Sequence, residues 1–196
     1  MKRIRTQAGF TIIELLISTV IFSLVLLVIT AAITQFGRIY YKGVVSSQTQ
    51  SVTRNIMSSI AQDIQFGGGS GSAAVVAGNT TLGQLQIGAR CYTYKPNTVV
   101  SPAQHGFTYI DGTCPGVPTQ VNGTEMLGSN MQLIALSIQH VGTSNLYTIS
   151  VRVAYGKNSE IAGGATGPKT RCNTINLGGQ FCYISQLSTT VAKRVN

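Results

Sequence analysis

From Leu15 to Gly37 the chain runs 23 residues without a charge, most of them aliphatic. As a helix that run spans ~35 Å, enough to cross the ~30 Å hydrocarbon core of a bilayer. Beyond Gly37 the pattern changes. Val52, Ile56, Ile60 and Ile64 recur every four residues, with Met57 nearby, while Gln50, Arg54 and Asp63 fall on other faces. The two patterns together predict one helix of about 55 residues, apolar all round at first and amphipathic afterwards. It should end at Gly67-Gly68-Gly69, where glycine terminates a helix cheaply. Gly37 and Gly43 mark points of weakness in it, since glycine costs a helix ~1 kcal/mol relative to alanine.

The rest of the chain carries strand patterns. Ile134, Leu136 and Ile138 alternate with Ala135, Ser137 and Gln139. After the turn Gly142-Thr143-Ser144-Asn145, residues Tyr147, Ile149, Val151, Val153 and Tyr155 alternate with Thr148, Ser150, Arg152 and Ala154. Residues 131–156 therefore read as a hairpin with one buried and one wet face. Residues 84–94 and 106–111 read as short strands, separated by a loop punctuated by Pro96 and Pro102. A last strand falls in 181–192, with Phe181, Tyr183, Leu187 and Val191 on one parity. The segments 67–83 and 156–169 are glycine-rich loops, and Cys114 to Pro118 is a further turn. An antiparallel sheet packed on the amphipathic half-helix is the economical α+β fold.

Charge changes the picture at the N-terminus. Lys2, Arg3 and Arg5 precede Gly9 with no acid among them, and Glu14 lies just inside the apolar run. A charge in lipid costs several kcal/mol, so Glu14 calls for a partner and a purpose. An ordinary anchor or secretory signal also has a basic start and an apolar stretch, and Thr30-Ala31-Ala32 would serve as its cleavage site. Neither has a use for Glu14.

The stretch Ala8-Gly9-Phe10-Thr11-Ile12-Ile13-Glu14-Leu15-Leu16 resembles the N-terminus of bacterial type IV prepilins and type II secretion pseudopilins. In that family a basic leader precedes Gly-Phe, and an acid stands at the fifth mature position. The resemblance implies cleavage between Gly9 and Phe10 by a membrane prepilin peptidase, with methylation of the new Phe10 amine. It implies that Glu14 pairs with the N-terminal amine of a neighbouring subunit during filament assembly. It also implies a pilin fold divided as 1–9 leader, 10–37 membrane and assembly half-helix, 38–67 amphipathic half-helix, and 68–196 β-rich extracytoplasmic domain.

Two later stretches look like PilW-like minor pilins. One is Arg54-Asn55-Ile56-Met57 with Asp63-Ile64-Gln65-Phe66-Gly67. The other runs from Val151 to Gly156, through Cys172, to the Gln180–Val191 stretch. What the likeness implies is a minor pilus subunit held in the inner membrane before assembly and carried outside afterwards. Its partners would be other pilins and the inner-membrane assembly platform. A secretion pseudopilin and a tip adhesin or DNA-uptake subunit are the alternatives.

Composition narrows the remaining choices. Charged residues make up only 10% of the 196, and glycine accounts for 22. The domain is thus polar without being charged, yet too rich in β-branched and aromatic residues for disorder. Net charge is +9, falling to about +6 without the three leader cations. The positive-inside rule places Lys2, Arg3 and Arg5 in the cytoplasm and the C-terminal domain outside. The other eleven cations are scattered from Arg38 to Arg194, which fits a solvated, mildly basic surface better than a nucleic-acid site. Tyr92, Tyr94 and Tyr109 permit nucleic-acid binding without requiring it.

Cys91, Cys114, Cys172 and Cys182 allow three disulfide pairings, among which sequence does not choose. Local pairing, Cys91 with Cys114 and Cys172 with Cys182, is preferred because short loops close most cheaply. A zinc site with His105 and His140 is the weaker alternative, since no C-x-x-C spacing exists. Gly163 to Thr170 approaches a P-loop, but Pro168 stands where glycine is required and has no N–H for a phosphate. The sequons Asn79-Thr80-Thr81 and Asn122-Gly123-Thr124 are short enough to arise by chance. Asp63, Asp111, Glu125 and Glu160 are far apart in sequence and form no evident catalytic pair. No catalytic constellation, cofactor or metal site is expected.

Overall fold

The computed structural model describes residues 9–67, 75–77, 82–115, 121–142, 144–162, 171–173 and 181–194. The leader cations, the P-loop-like stretch and the first sequon lie outside these residues. The chain divides into two compact units, one up to Tyr40 and one from Tyr41 onwards.

Helix α1 runs Ile12–Phe66, 55 residues, as the two successive patterns predict. It passes through Gly37 and Gly43 unbroken, so neither glycine interrupts it. In the first unit its apolar side chains are exposed, for example Leu27 at 68% and Phe36 at 78%. The hydroxyls in this stretch bond within the helix. Ser18 donates to the Glu14 carbonyl, Ser23 to Thr19 and Thr30 to Leu26. Such back-bonding spares these serine and threonine hydroxyls the need for water, which suits an apolar surrounding.

In the second unit α1 buries a stripe: Val45, Thr49, Thr53, Ile56, Met57, Ile60 and Ile64. Val52 packs at its margin. Thr49 and Thr53 enter the core because each hydroxyl donates to the carbonyl four residues back. Gln50 and Asp63 do not point away, as the pattern suggests, but reach the sheets. Gln50 donates to the Tyr183 hydroxyl at 2.7 Å, and the Tyr92 hydroxyl donates to Asp63.

Ten strands follow: β1 Val75–Ala77, β2 Gly83–Ile87, β3 Arg90–Tyr94, β4 Phe107–Asp111, β5 Thr124–Glu125, β6 Met131–His140, β7 Leu146–Tyr155, β8 Ile161–Ala162, β9 Arg171–Cys172 and β10 Tyr183–Ala192. They form antiparallel sheets ordered β1-β6-β7-β10, β2-β3-β4-β5 and β8-β9. The fold is α+β, a long N-terminal helix with its amphipathic part against antiparallel sheets, as expected for a pilin fold.

Three details depart from the sequence pattern. The single strand expected over 84–94 is two, because Gly88 at φ +58° opens a two-residue turn between Ile87 and Arg90. A Cβ on Gly67 would lie 2.7 Å from the Gly88 Cα, so the helix end and this turn meet backbone to backbone, which only glycine allows. The loop expected over 67–83 contains β1, and that expected over 156–169 contains a 3₁₀ turn at Asn158–Glu160 and β8.

The third departure is Ile134. The register of β6 against β7 shifts between Leu133 and Ala135, so Ile134 is the extra residue of a bulge. Leu133 and Leu136 face the main core, whereas Ile134 joins Ala154, Ile161 and Cys182 in a second cluster. The outer face of the hairpin is therefore covered at one end. In β10, Gln186, Ser188 and Thr190 are exposed while Ser185 and Val191 are buried, as the parity predicts. Phe181 lies outside the strand, with its ring edge-on to Tyr41 at 5.1 Å.

Candidate functional site at the helix start

The start of α1 is built from four residues. Gly9, Phe10 and Thr11 precede the helix and are exposed, Phe10 to 80%. Thr11 is the N-cap. Its backbone N–H and its hydroxyl donate to Glu14 Oε2 at 2.9 and 2.8 Å, and the Glu14 N–H donates back to Thr11 Oγ1 at 3.3 Å. This Thr-x-x-Glu arrangement is a capping box, which satisfies N–H groups that a helix start leaves without partners. The carboxylate also faces the positive end of the helix dipole. Glu14 is thus held at the very tip of the apolar helix, bonded to the N–H of the peptide that joins Phe10 to Thr11.

The chemistry available here is recognition and charge pairing. The Gly9–Phe10 bond lies in exposed, non-helical chain without a side chain at Gly9, which suits entry into a peptidase. The Glu14 carboxylate already accepts two donors from Thr11. The role of Thr11 was open to inspection in the sequence through its spacing to Glu14.

The four cysteines form two disulfides, Cys91–Cys114 and Cys172–Cys182, the local pairing. Neither is available to a metal, and Cys91 is fully buried. The acidic residues have structural partners that their sequence positions conceal. Arg90 lies 3.4 Å from Asp63 and 3.0 Å from Asp111, with its guanidinium 5.0 Å from the Tyr109 ring. The bond to Asp111, then the charge of Asp63, holds the Arg90 pKa above its ordinary value. Burial, then the bond to Asp63, raises that of Tyr92. Glu125 accepts from the backbone N–H of Gly106, Phe107, Met126 and Leu127, and His105 Nδ1 lies 3.3 Å from it. Glu160 caps the 3₁₀ turn through the Lys157 N–H. His140 is exposed, edge-on to Tyr147 at 5.0 Å.

The tyrosines considered for nucleic acid are not a surface platform. Tyr92 is fully buried and stacked on Phe107, and Tyr94 and Tyr109 pack at the core margin.

Residues 4–30 match the prokaryotic N-terminal methylation motif. The match covers the leader end, Gly9-Phe10, Glu14 and the apolar run as far as Thr30, and it supports a type IV pilin-like or pseudopilin precursor. Such a motif points to a structural subunit that is processed by a prepilin peptidase and assembled with other pilins. Together with a helix long and apolar enough to cross a membrane, it fits anchoring in the inner membrane before assembly into an extracellular filament. No curated protein and no solved structure matches the chain significantly.

Proposed function

We propose that the chain is a minor subunit of a type IV pilus. Prepilin peptidase cleaves it between Gly9 and Phe10 and methylates the Phe10 amine. The assembly platform of the inner membrane then passes it into the filament, with its C-terminal domain outside. The observation that carries this is the coincidence, within residues 4–30, of the methylation motif with an acid fixed at the start of an apolar helix.

Glu14 is the assembly residue. In lipid or a filament core an unpaired carboxylate is penalised and a matched pair favoured, so pairing with a neighbour's Phe10 ammonium selects the correct axial offset. The Thr11 bonds hold the carboxylate ready at the helix tip. The lean to a minor subunit comes from the PilW-like stretches and the size of the domain.

The test is incorporation. Glu14→Ala and Glu14→Gln should both insert in the membrane and be cleaved, while their recovery in sheared filaments drops at least several-fold. Wild-type recovery of both variants would remove the pairing role. Recovery of the wild-type chain only with a secretion apparatus, and never with pili, would favour the pseudopilin alternative.

A further inference from the structure

Between the loop that joins β3 to β4 and the chain leading into β5 lies a cleft of ≈ 510 Å³, within the range of small-molecule sites. Its lining includes Lys95, Thr98, Ala103, Gln104, His105 and Asn122, and the rest is aliphatic. Among the described residues no carboxylate lines it.

The loop is fixed in place. Lys95 N–H donates to the Gly106 carbonyl, Asn97 to Leu133 and Val100 to Met131, and Ser101 and Gln104 exchange two backbone bonds. His105 is oriented from behind. Its Nδ1 faces Glu125, whose oxygens accept four backbone N–H groups, and Nε2 has no partner among the described residues. Among the described residues no carboxylate lies within ion-pair distance of Lys95. The cleft therefore offers an ammonium without a carboxylate partner among the described residues, a positioned imidazole, two amides and a hydroxyl, beside aliphatic surface.

We infer that this cleft binds an acidic saccharide, a sugar unit bearing a carboxylate. Lys95 meets the carboxylate as a point charge, for which its three donors are suited. Gln104, Asn122 and Thr98 both donate and accept, which is what neighbouring sugar hydroxyls require. The aliphatic wall takes the C–H face of the ring. A peptide's terminal carboxylate would use Lys95 equally well, but it presents backbone and side chain rather than a ring of hydroxyls. The site needs only that the domain be exposed outside the cell, and it is independent of filament assembly.

The experiment uses the full chain in nanodiscs, with both disulfides intact. Titration with digalacturonic acid, followed by calorimetry or ligand-observed NMR, should show saturable binding in the micromolar to millimolar range. The neutral digalactose should bind at least fivefold more weakly. Lys95→Gln should remove that preference, and Ala103→Trp, an exposed position, should block the cleft to both sugars. Thermal melts of the variants within a few degrees of wild type show that the domain is intact. No saturation by 10 mM digalacturonate overturns the proposal, as does binding unaffected by Ala103→Trp. Tighter binding of a tripeptide with a free C-terminus also overturns it, in favour of a peptide site. None of these results bears on Gly9 cleavage or on Glu14, so failure here leaves the pilin reading standing.

Discussion

The unit up to Tyr40 and the unit from Tyr41 solve opposite problems. In the first, no side chain of the apolar window is buried, and large aliphatic residues such as Leu27 stand exposed. Its order is local: backbone helix bonds, hydroxyls bonded one turn back, and one capping box. In the second, Ile56, Ile60, Leu133, Leu136, Ile149 and Val151 are shielded from water by the chain's own sheets. The first unit needs an apolar medium, lipid or neighbouring helices, to satisfy its surface. The second makes that medium for itself. One continuous helix thus carries two patterns, an apolar surface left unburied in the first unit and a single stripe buried by folding in the second.

The sharpest way to break the comparison is a matched pair of truncations. Ile60→Ala removes a fully buried side chain and should destabilise the second unit by ~2–5 kcal/mol in denaturant unfolding. Leu27→Ala removes a comparable side chain from the first unit and should leave that transition within ~0.5 kcal/mol. A large effect of Leu27→Ala on domain unfolding would mean that the units are not independent in this sense.

Next in size is the disulfide that closes β3 onto the chain after β4. Cys91 and Cys114 are 23 residues apart, a loop for which chain entropy gives ~3 kcal/mol. Replacing both by serine should lower domain stability by about that amount without changing membrane insertion, as a urea melt beside a carbonate extraction would show.

Glu125→Gln should cost ~1–3 kcal/mol, since the charged acceptor for four backbone N–H groups becomes neutral and can accept at only one oxygen. Protection of the Gly106 and Leu127 amides in hydrogen exchange should fall most.

The smallest effect is alkaline. Tyr92 has its pKa raised by burial and by the bond to Asp63. The unfolded chain therefore loses this proton first, near pH ~10, and the contribution to stability present below that pH is lost as pH rises towards the folded value. Unfolding free energy should decline above pH ~10, and Tyr92→Phe should flatten the decline. An unchanged slope in that variant would assign the alkaline loss to other groups.

Much of this architecture was legible because it is periodic. The four-residue recurrence of Ile56, Ile60 and Ile64 and the strict alternation from Tyr147 to Tyr155 each encode one buried face. The split at Gly88 was not legible, since a single glycine in a run of strand formers does not announce a turn. The bulge at Ile134 was hidden for a different reason. Ile134, Leu136 and Ile138 alternate perfectly in sequence, yet the inserted residue sends Ile134 to the opposite face. The partners of Asp63 and Arg90, and the Gly106 and Phe107 donors to Glu125, lie far away in the chain, and no local spacing reports them. The helix start is the contrary case, where Thr11 and Glu14 meet three residues apart and the geometry follows from the spacing.

The central claim is that residues 1–9 are a leader and that Phe10 begins the working chain. Intact mass spectrometry of the protein from membranes and from sheared filaments tests it directly. The account predicts an N-terminus at Phe10 carrying one methyl group in wild type, and an uncleaved chain in Gly9→Val. A mature N-terminus elsewhere, such as after Ala32, or a wild-type chain that keeps its leader in assembled filaments, would contradict it.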